Sequence, residues 1–150
     1  MEVILTGTGS PLPDANRAGP STLVKANDTH ILVDAGRGVV MRMAGADTLP
    51  LFLRAVLITH LHSDHICDLN DVITTHWIMS RGNAPLAIYG PPGIKEFVTR
   101  QLHALEADIG YRIEHHDALT HGPNVDVVEL APGESFELDD VSVSTAATVH

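Results

Sequence analysis

The chain has 150 residues, the length of one domain, of which 44% are apolar and 19% are charged. This composition is typical of a globular protein, and no apolar run approaches the roughly 18 residues that a membrane-spanning helix needs. Nine Lys and Arg against nineteen Asp and Glu give a formal net charge of -10, which excludes attraction of nucleic acid by the overall field of the protein.

The amino terminus and the cysteine content indicate a cellular compartment. The first residues lack the basic region of a signal peptide and have the pattern of a strand. The single cysteine, Cys67, cannot form an internal disulfide, which agrees with a reducing compartment. We therefore expect a cytoplasmic protein with no membrane partner.

Residue patterns along the chain predict an α/β fold, α+β in some classifications. Runs rich in Val, Ile, Leu and Thr indicate strands, and apolar residues at helical spacing indicate helices. A Gly- and Pro-rich surface loop is predicted over residues 7–14, and irregular chain over residues 111–121. The order of the elements predicts a mixed sheet covered by helices. The predicted elements are strands at residues 2–6, 21–26 and 30–34, a helix at 37–46, a strand at 54–59, a helix at 66–80, a strand at 86–89, a helix at 94–105, and strands at 125–130, 135–138 and 141–145.

Four candidate metal ligands follow the strand at residues 54–59, at the end where open α/β sheets place their ligand sites. Extended backbone sends His60 and His62 to the same side, so the two can bind one ion together. Asp64 and His65 are adjacent, and a turn into the next helix lets both point into a second pocket close to the first. One short loop can therefore begin two metal sites.

Imidazole and carboxylate donors suit zinc, and also iron or manganese, and they favour a catalytic site over a closed structural one rich in thiolates. The competing interpretation is an accidental cluster or a His-rich surface loop, because the chain has ten histidines. The histidines with no ligand spacing are predicted to be structural or exposed. They are His30, His76, His103, His115, His116 and His121.

Asp34, in an Asp-x-Gly turn after a strand, has two interpretations. It can accept a hydrogen bond from a metal-binding imidazole, or it can be a turn aspartate bonded to its own backbone. Asp68 and Asp71 begin the next predicted helix, where the helix dipole alone accounts for them.

The His-x-His-x-Asp-His motif at residues 60–65 resembles that of metallo-β-lactamase-fold hydrolases. A second set of residues resembles the opening of the ribonuclease Z and arylsulfatase-like branch. The resemblance covers essentially the whole chain but only the N-terminal portion of the family's fold, so it implies an αββα sandwich, incomplete at the C-terminus, with residues 1–150 as part of a single domain. The second set consists of Gly7-Thr8-Gly9-Ser10-Pro11, Arg17, Pro20, Ser21 and Leu32-Val33-Asp34-Ala35-Gly36.

The resemblance also implies a site. It implies zinc, two ions in the complete enzyme, with His150 joining His60 and His62 at the first ion and with Asp64 and His65 at the second. The ions would lower the pKa of a water between them, and the resulting hydroxide would be the nucleophile. Asp64 would be the catalytic residue that orients this water or accepts its proton.

Three functions stay open. The first is a phosphodiesterase similar to ribonuclease Z, which trims the 3′ end of precursor tRNA, acting as a homo-oligomer; the acidic charge counts against an RNA substrate. The second is hydrolysis of a small ester, sulfate ester or lactam on the same fold. The third is a truncated fragment that binds metal without turnover.

Overall fold

A six-stranded mixed sheet is the centre of the computed structural model, which describes residues 1–148. The sheet has the order β1-β2-β3-β4-β5-β6; β1 to β3 are antiparallel neighbours and β3 to β6 are parallel. The elements are β1 Glu2–Gly7, β2 Ser21–Ala26, β3 Thr29–Val33, α1 Val39–Gly45, a 3-10 turn at Pro50–Phe52, β4 Leu53–Leu57, α2 Ser63–Ile66, α3 Leu69–Ser80, β5 Leu86–Gly90, α4 Ile94–Ala104, α5 Glu106–His115, β6 Val125–Glu129, β7 Ser135–Leu138 and β8 Val141–Ser144.

Helices α1, α3 and α4 cover one face of the sheet. Met43 of α1, Ile73 of α3 and Ile94 of α4 are buried in one apolar cluster with Val56 and Ile88 of the central strands. Each fully buried aliphatic side chain contributes about 1.5–3 kcal/mol through the hydrophobic effect. The face of the sheet that carries the helices is therefore the main core.

The β7–β8 hairpin lies on the opposite face and begins a second layer. Leu138 packs with Ile31 and Ala55 in a smaller apolar cluster. The rings of Tyr89 and Phe136 stack with centroids 4.0 Å apart and an interplanar angle of 12°. The hairpin thus covers the middle strands of the sheet.

Polar contacts fix the turn of this hairpin to the first layer. Asp139 accepts a hydrogen bond from Arg54 Nε at 2.8 Å. Asp140 accepts hydrogen bonds from Asn27 Nδ2 and from Thr29 Oγ1, and these two bonds hold the pKa of its carboxyl below the usual value. The turn is therefore held at β4 and at the β2–β3 connection.

The sequence-based prediction of a mixed sheet covered by helices is confirmed, with most element ends within two residues. Two parts were wrong. The helix expected at residues 66–80 is divided into α2 and α3, and α2 begins at Ser63. Residues 111–115, expected to be irregular, belong to α5, in which Gly110, Tyr111 and His115 have low intrinsic helix propensity. No helix within residues 1–148 is long and apolar enough to cross a membrane.

The surroundings of His30 should make the stability of the fold depend on pH. Its Nδ1 lies 3.0 Å from the hydroxyl oxygen of the buried Thr48. Desolvation, followed by the charge of Lys25, lowers the pKa of His30. The folded state therefore binds fewer protons at this ring than the unfolded chain does.

We expect the contribution of His30 to the free energy of unfolding to be fully present above the unfolded pKa of about 6.5. This contribution should be lost as the pH falls through the lowered folded pKa. His30→Gln should make the free energy of unfolding less sensitive to acid over this range. Urea unfolding at several pH values measures the difference, and His103→Gln, at an exposed position, is the control. Equal pH dependence of His30→Gln and the unchanged chain would contradict the prediction.

Candidate metal centre

The candidate site lies at the edge of the sheet where the parallel strands end. Asp34 follows β3, and its backbone N–H donates to Leu57 O at 2.8 Å. Ile58 follows β4, and its N–H donates to Tyr89 O on β5 at 2.8 Å. The strand ends are thus tied together just before the His-x-His-x-Asp-His motif begins.

His60 and His62 are brought together as the sequence predicts. His60 Nε2 lies 3.1 Å from His62 Nδ1, and the ring centroids are 4.6 Å apart. Two nitrogen ligands of a tetrahedral zinc ion, each about 2.0–2.1 Å from the metal, lie about 3.3–3.4 Å apart. The separation of these two nitrogens therefore fits shared coordination of one ion.

Asp64 and His65 lie on the short helix α2, so the turn that the sequence requires is present. His62, with φ -65° and ψ 141°, is the last extended residue before this helix. Asp64 Oδ2 is 3.8 Å from His65 Nε2, and the two side chains are 9% and 20% exposed. The rings of His60 and His65 have centroids 4.1 Å apart, so the two donor pairs are neighbours.

Asp34 accepts a hydrogen bond from an imidazole of the motif, which is the contact that the first of its two interpretations requires. Its Oδ2 accepts a hydrogen bond from His65 Nδ1 at 2.7 Å, and its Oδ1 accepts one from the backbone N–H of Thr59 at 2.8 Å. Asp34 is 6% exposed and has a φ of 61°, a conformation in which Asp and Asn are enriched. The bond leaves Nε2 of His65 facing Asp64.

The donors present are imidazole nitrogens and carboxylate oxygens, which suit zinc, iron or manganese. Within residues 1–148, no group of three or more His, Cys, Asp or Glu side chains could hold a metal ion. The described part of the chain thus supplies two donor pairs. His150, expected to complete the first pair, lies outside the described residues.

Two residues of this site were not recognised from the sequence. The Thr59 hydroxyl oxygen is 2.9 Å and 3.0 Å from the two carboxylate oxygens of Asp34 and 3.0 Å from His60 Nδ1. Asp68 Oδ2 accepts a hydrogen bond from Gly38 N at 2.6 Å and makes no capping bond to α3. A threonine before a histidine and an aspartate before a helix are common, so neither position carries a signal of its own.

Gly36 allows the close packing behind the site. Gly36 lies against other backbone segments: a Cβ added to it would be 2.5 Å from Gly19 C and 2.6 Å from both Asp64 O and Pro20 N. Ala35 beside it donates a backbone hydrogen bond to His65 O of the motif at 2.7 Å and accepts one from Asp68 N, just before α3, at 3.0 Å. The chain after Asp34 is therefore packed directly onto the loop that carries the motif.

The histidines predicted to be structural or exposed lie away from this edge or on the surface. His76 is 3% exposed, with Nδ1 2.8 Å from Pro50 O and Nε2 3.2 Å from Ala84 O. His115 Nδ1 donates to Tyr111 O at 2.8 Å within α5. These contacts account for both rings without a ligand.

The family of the chain follows from comparison with known proteins. A family model described as "Anti-Pycsar protein Apyc1" matches residues 1–150. The chain belongs to this family. Among curated proteins, ribonuclease Z of Mycobacterium sp. strain KMS is 53% identical over 151 residues, which is 100% of this chain and 53% of that protein. Ribonuclease Z of Mycolicibacterium paratuberculosis is 52% identical and is covered over 54% of its length.

Solved structures identify the fold of this Apyc1-family chain. The metallo-β-lactamase-fold protein YhfI from Bacillus subtilis aligns with a TM-score of 0.72 at 24% identity, covering 99% of this chain and 53% of that one. The short form of human tRNase Z aligns with a TM-score of 0.68 at 26% identity, covering 88% and 46%. The predicted metallo-β-lactamase fold and the resemblance to ribonuclease Z are confirmed. The chain spans about half the length of the curated relatives that it matches.

Gly36→Ala should disrupt the site, because the added methyl group meets backbone atoms on three sides. Overpacking of this kind costs about 1–3 kcal/mol or more, and here the displaced atoms include the Asp64 carbonyl. We expect a lower melting temperature and weaker zinc binding. Gly45→Ala in α1 is the matched control, since its methyl group has no neighbour within 4 Å. A Gly36→Ala chain that melts and binds zinc like the Gly45→Ala chain would show that the packing is not needed.

Proposed function

We propose that this chain is the N-terminal portion of a single-domain, metal-dependent phosphodiesterase similar to ribonuclease Z. The observation that carries the proposal is the convergence of two donor pairs at the end of β4, with a buried carboxylate fixing one of the rings. His60 Nε2 and His62 Nδ1 are 3.1 Å apart, and Asp64 Oδ2 and His65 Nε2 are 3.8 Å apart. The names of the curated relatives support the same activity.

The proposed metal ligands are His60, His62 and His150 for one ion and Asp64 and His65 for another. We propose zinc, two ions in the whole protein, with iron or manganese as alternatives that accept the same donors. When bound, divalent ions lower the pKa of a coordinated water and offset the charge that develops on a phosphodiester.

The residues of the chain have separate tasks in this proposal. Asp64 is the catalytic residue: the carboxylate of its buried side chain orients the attacking water or accepts its proton. His65 is held by Asp34 so that Nε2 stays directed at the Asp64 side of the site. Because Asp34 and Asp64 are buried, bulk water competes less for the hydrogen bonds of their carboxylates.

The proposed substrate is the 3′ region of a precursor tRNA, and the proposed setting is a cytoplasmic homo-oligomer. Ile4 of β1 packs on the helix side, so the strand period directs Val3 and Leu5 to the other face. There they are 61% and 68% exposed, which supports self-association. With a net charge of -10, RNA recognition depends on local contacts.

Hydrolysis of a small ester, sulfate ester or lactam is the second candidate. The observation that favours it is the net charge of -10, which opposes a polyanion and matters less for a small substrate.

Zinc stoichiometry tests the ligand assignment. We expect residues 1–150 to retain close to one equivalent of zinc through dialysis and to hold a second only weakly, because Asp64 and His65 supply two ligands against three for the other ion. His62→Ala should lose the tight ion, and His103→Ala, at an exposed position remote from the site, should keep it. Two tightly held ions would show that the ligands are miscounted, and none would remove the metal centre.

Turnover tests the reaction. We expect residues 1–150 to have little activity on a chromogenic phosphodiester, and a protein extended to the length of the curated relatives to hydrolyse it. In that longer protein, His62→Ala should abolish both zinc binding and turnover, and Asp64→Asn should retain the first ion and lose mainly rate.

The outcomes separate the candidates. Robust turnover by residues 1–150 would contradict the need for the second half. A longer protein that cleaves carboxylic or sulfate esters but no phosphodiester would select the small-molecule reaction.

A further inference from the structure

The hydroxyl of Thr59 connects the buried carboxylate of Asp34 to the first histidine of the motif. Its oxygen is 2.9 Å and 3.0 Å from the two Asp34 oxygens and 3.0 Å from His60 Nδ1. The backbone N–H of the same residue also donates to Asp34 Oδ1 at 2.8 Å. Thr59 is therefore placed between a carboxylate and a proposed metal ligand.

The direction of these hydrogen bonds follows from the groups involved. An ionised carboxylate can only accept, so the single hydroxyl proton of Thr59 lies toward Asp34. The hydroxyl oxygen then has only lone pairs to offer to His60 Nδ1, which must carry the proton that joins them. The neutral ring of His60 therefore has its lone pair on Nε2, the atom that lies 3.1 Å from His62 Nδ1.

The same carboxylate acts on the second donor pair without an intermediate. Asp34 Oδ2 accepts the Nδ1 proton of His65 at 2.7 Å, which leaves the lone pair of that ring on Nε2, 3.8 Å from Asp64 Oδ2. One buried carboxylate thus selects the tautomer of one histidine in each donor pair, directly for His65 and through Thr59 for His60.

We propose that Thr59 is a positioning residue that transmits the orientation of Asp34 to His60 and keeps Nε2 of His60 free of a proton. Its effect on ion binding rests on the proposed metal centre. The tautomer of His60 does not depend on that proposal and can be measured in the metal-free chain.

Thr59→Val is the principal variant, because valine keeps the branched shape and the backbone N–H but has no hydroxyl. Thr59→Ala is the second variant, for use if valine disturbs the fold. Thr59→Ser restores the hydroxyl and is the rescue variant. Thr99→Val makes the same substitution at an exposed position on α4, where the hydroxyl donates to Lys95 O within the helix, and is the matched control.

The first measurement is long-range nitrogen–proton NMR of the imidazole rings in the metal-free chain, at a pH where the rings are neutral. In the unchanged chain, Thr59→Ser and Thr99→Val, His60 should carry its proton on Nδ1. In Thr59→Val and Thr59→Ala this preference should be lost, while His65 keeps its Nδ1 proton because its bond to Asp34 is intact. The His65 signal is thus an internal control.

The second measurement is competition with a chelator for the tight zinc ion. Thr59→Val should weaken binding about tenfold, the low end of the 10- to 100-fold range typical of residues that orient metal ligands. Thr59→Ser and Thr99→Val should bind like the unchanged chain.

Two results would overturn the proposal. One is an unchanged Nδ1 proton on His60 in both Thr59→Val and Thr59→Ala. The other is loss of the preference in Thr59→Ser to the same extent as in Thr59→Val, which would mean that the hydroxyl is not the cause. A chain that binds no zinc but shows the expected tautomers would contradict the metal centre and leave the role of Thr59 supported.

Discussion

The buried carboxylate of Asp34 is the group on which the rest of the site depends. It accepts hydrogen bonds from the backbone and hydroxyl of Thr59 and from the ring of His65. A carboxylate that is 6% exposed is costly unless such donors surround it. The end of β3, the end of β4 and helix α2 must therefore be in place together, because each contributes a partner or the carboxylate itself.

The left-handed conformation of Asp34 adds a second requirement at the same residue. Its φ of 61° is one that Asp, Asn and Gly adopt more readily than other residues. Gly36 then follows against the backbones of Gly19 and Asp64. The turn after β3 is thus constrained by hydrogen bonding and by steric exclusion within three residues.

Features of the sequence that are local in the chain predicted the structure well. The strands and the mixed sheet follow from residue patterns within five or six positions, and the motif at residues 60–65 predicted that His60 and His62 would come together. The role of Asp34 stayed open because its partners, Thr59 and His65, are 25 and 31 positions away. The role of Thr59 depends on the same long-range contact. Helix α5 was missed because Gly110, Tyr111 and His115 have low intrinsic helix propensity, so the local sequence favours irregular chain there.

The fold of this chain does not decide between the two names that its relatives carry. The family model is described as Anti-Pycsar protein Apyc1, whereas the curated relatives that are about half identical are named ribonuclease Z. A metallo-β-lactamase sheet with histidines at the end of β4 is compatible with both names, because substrates are chosen by the residues around a metal site and not by the sheet. The residues that determine substrate specificity therefore lie beyond the edge formed by Asp34 and the motif.

The anchoring of the β7–β8 hairpin has a consequence for the order of folding. Its turn is bonded to Asn27, Thr29 and Arg54, across separations of 113, 111 and 85 residues. Contacts between such distant residues require closure of long loops, and topologies rich in them fold slowly. The helix-covered layer has closer partners along the chain and can assemble while the hairpin is still undocked. During synthesis, Ile31 and Ala55 would then face solvent until the hairpin arrives, and this interval is when the chain is most exposed to aggregation.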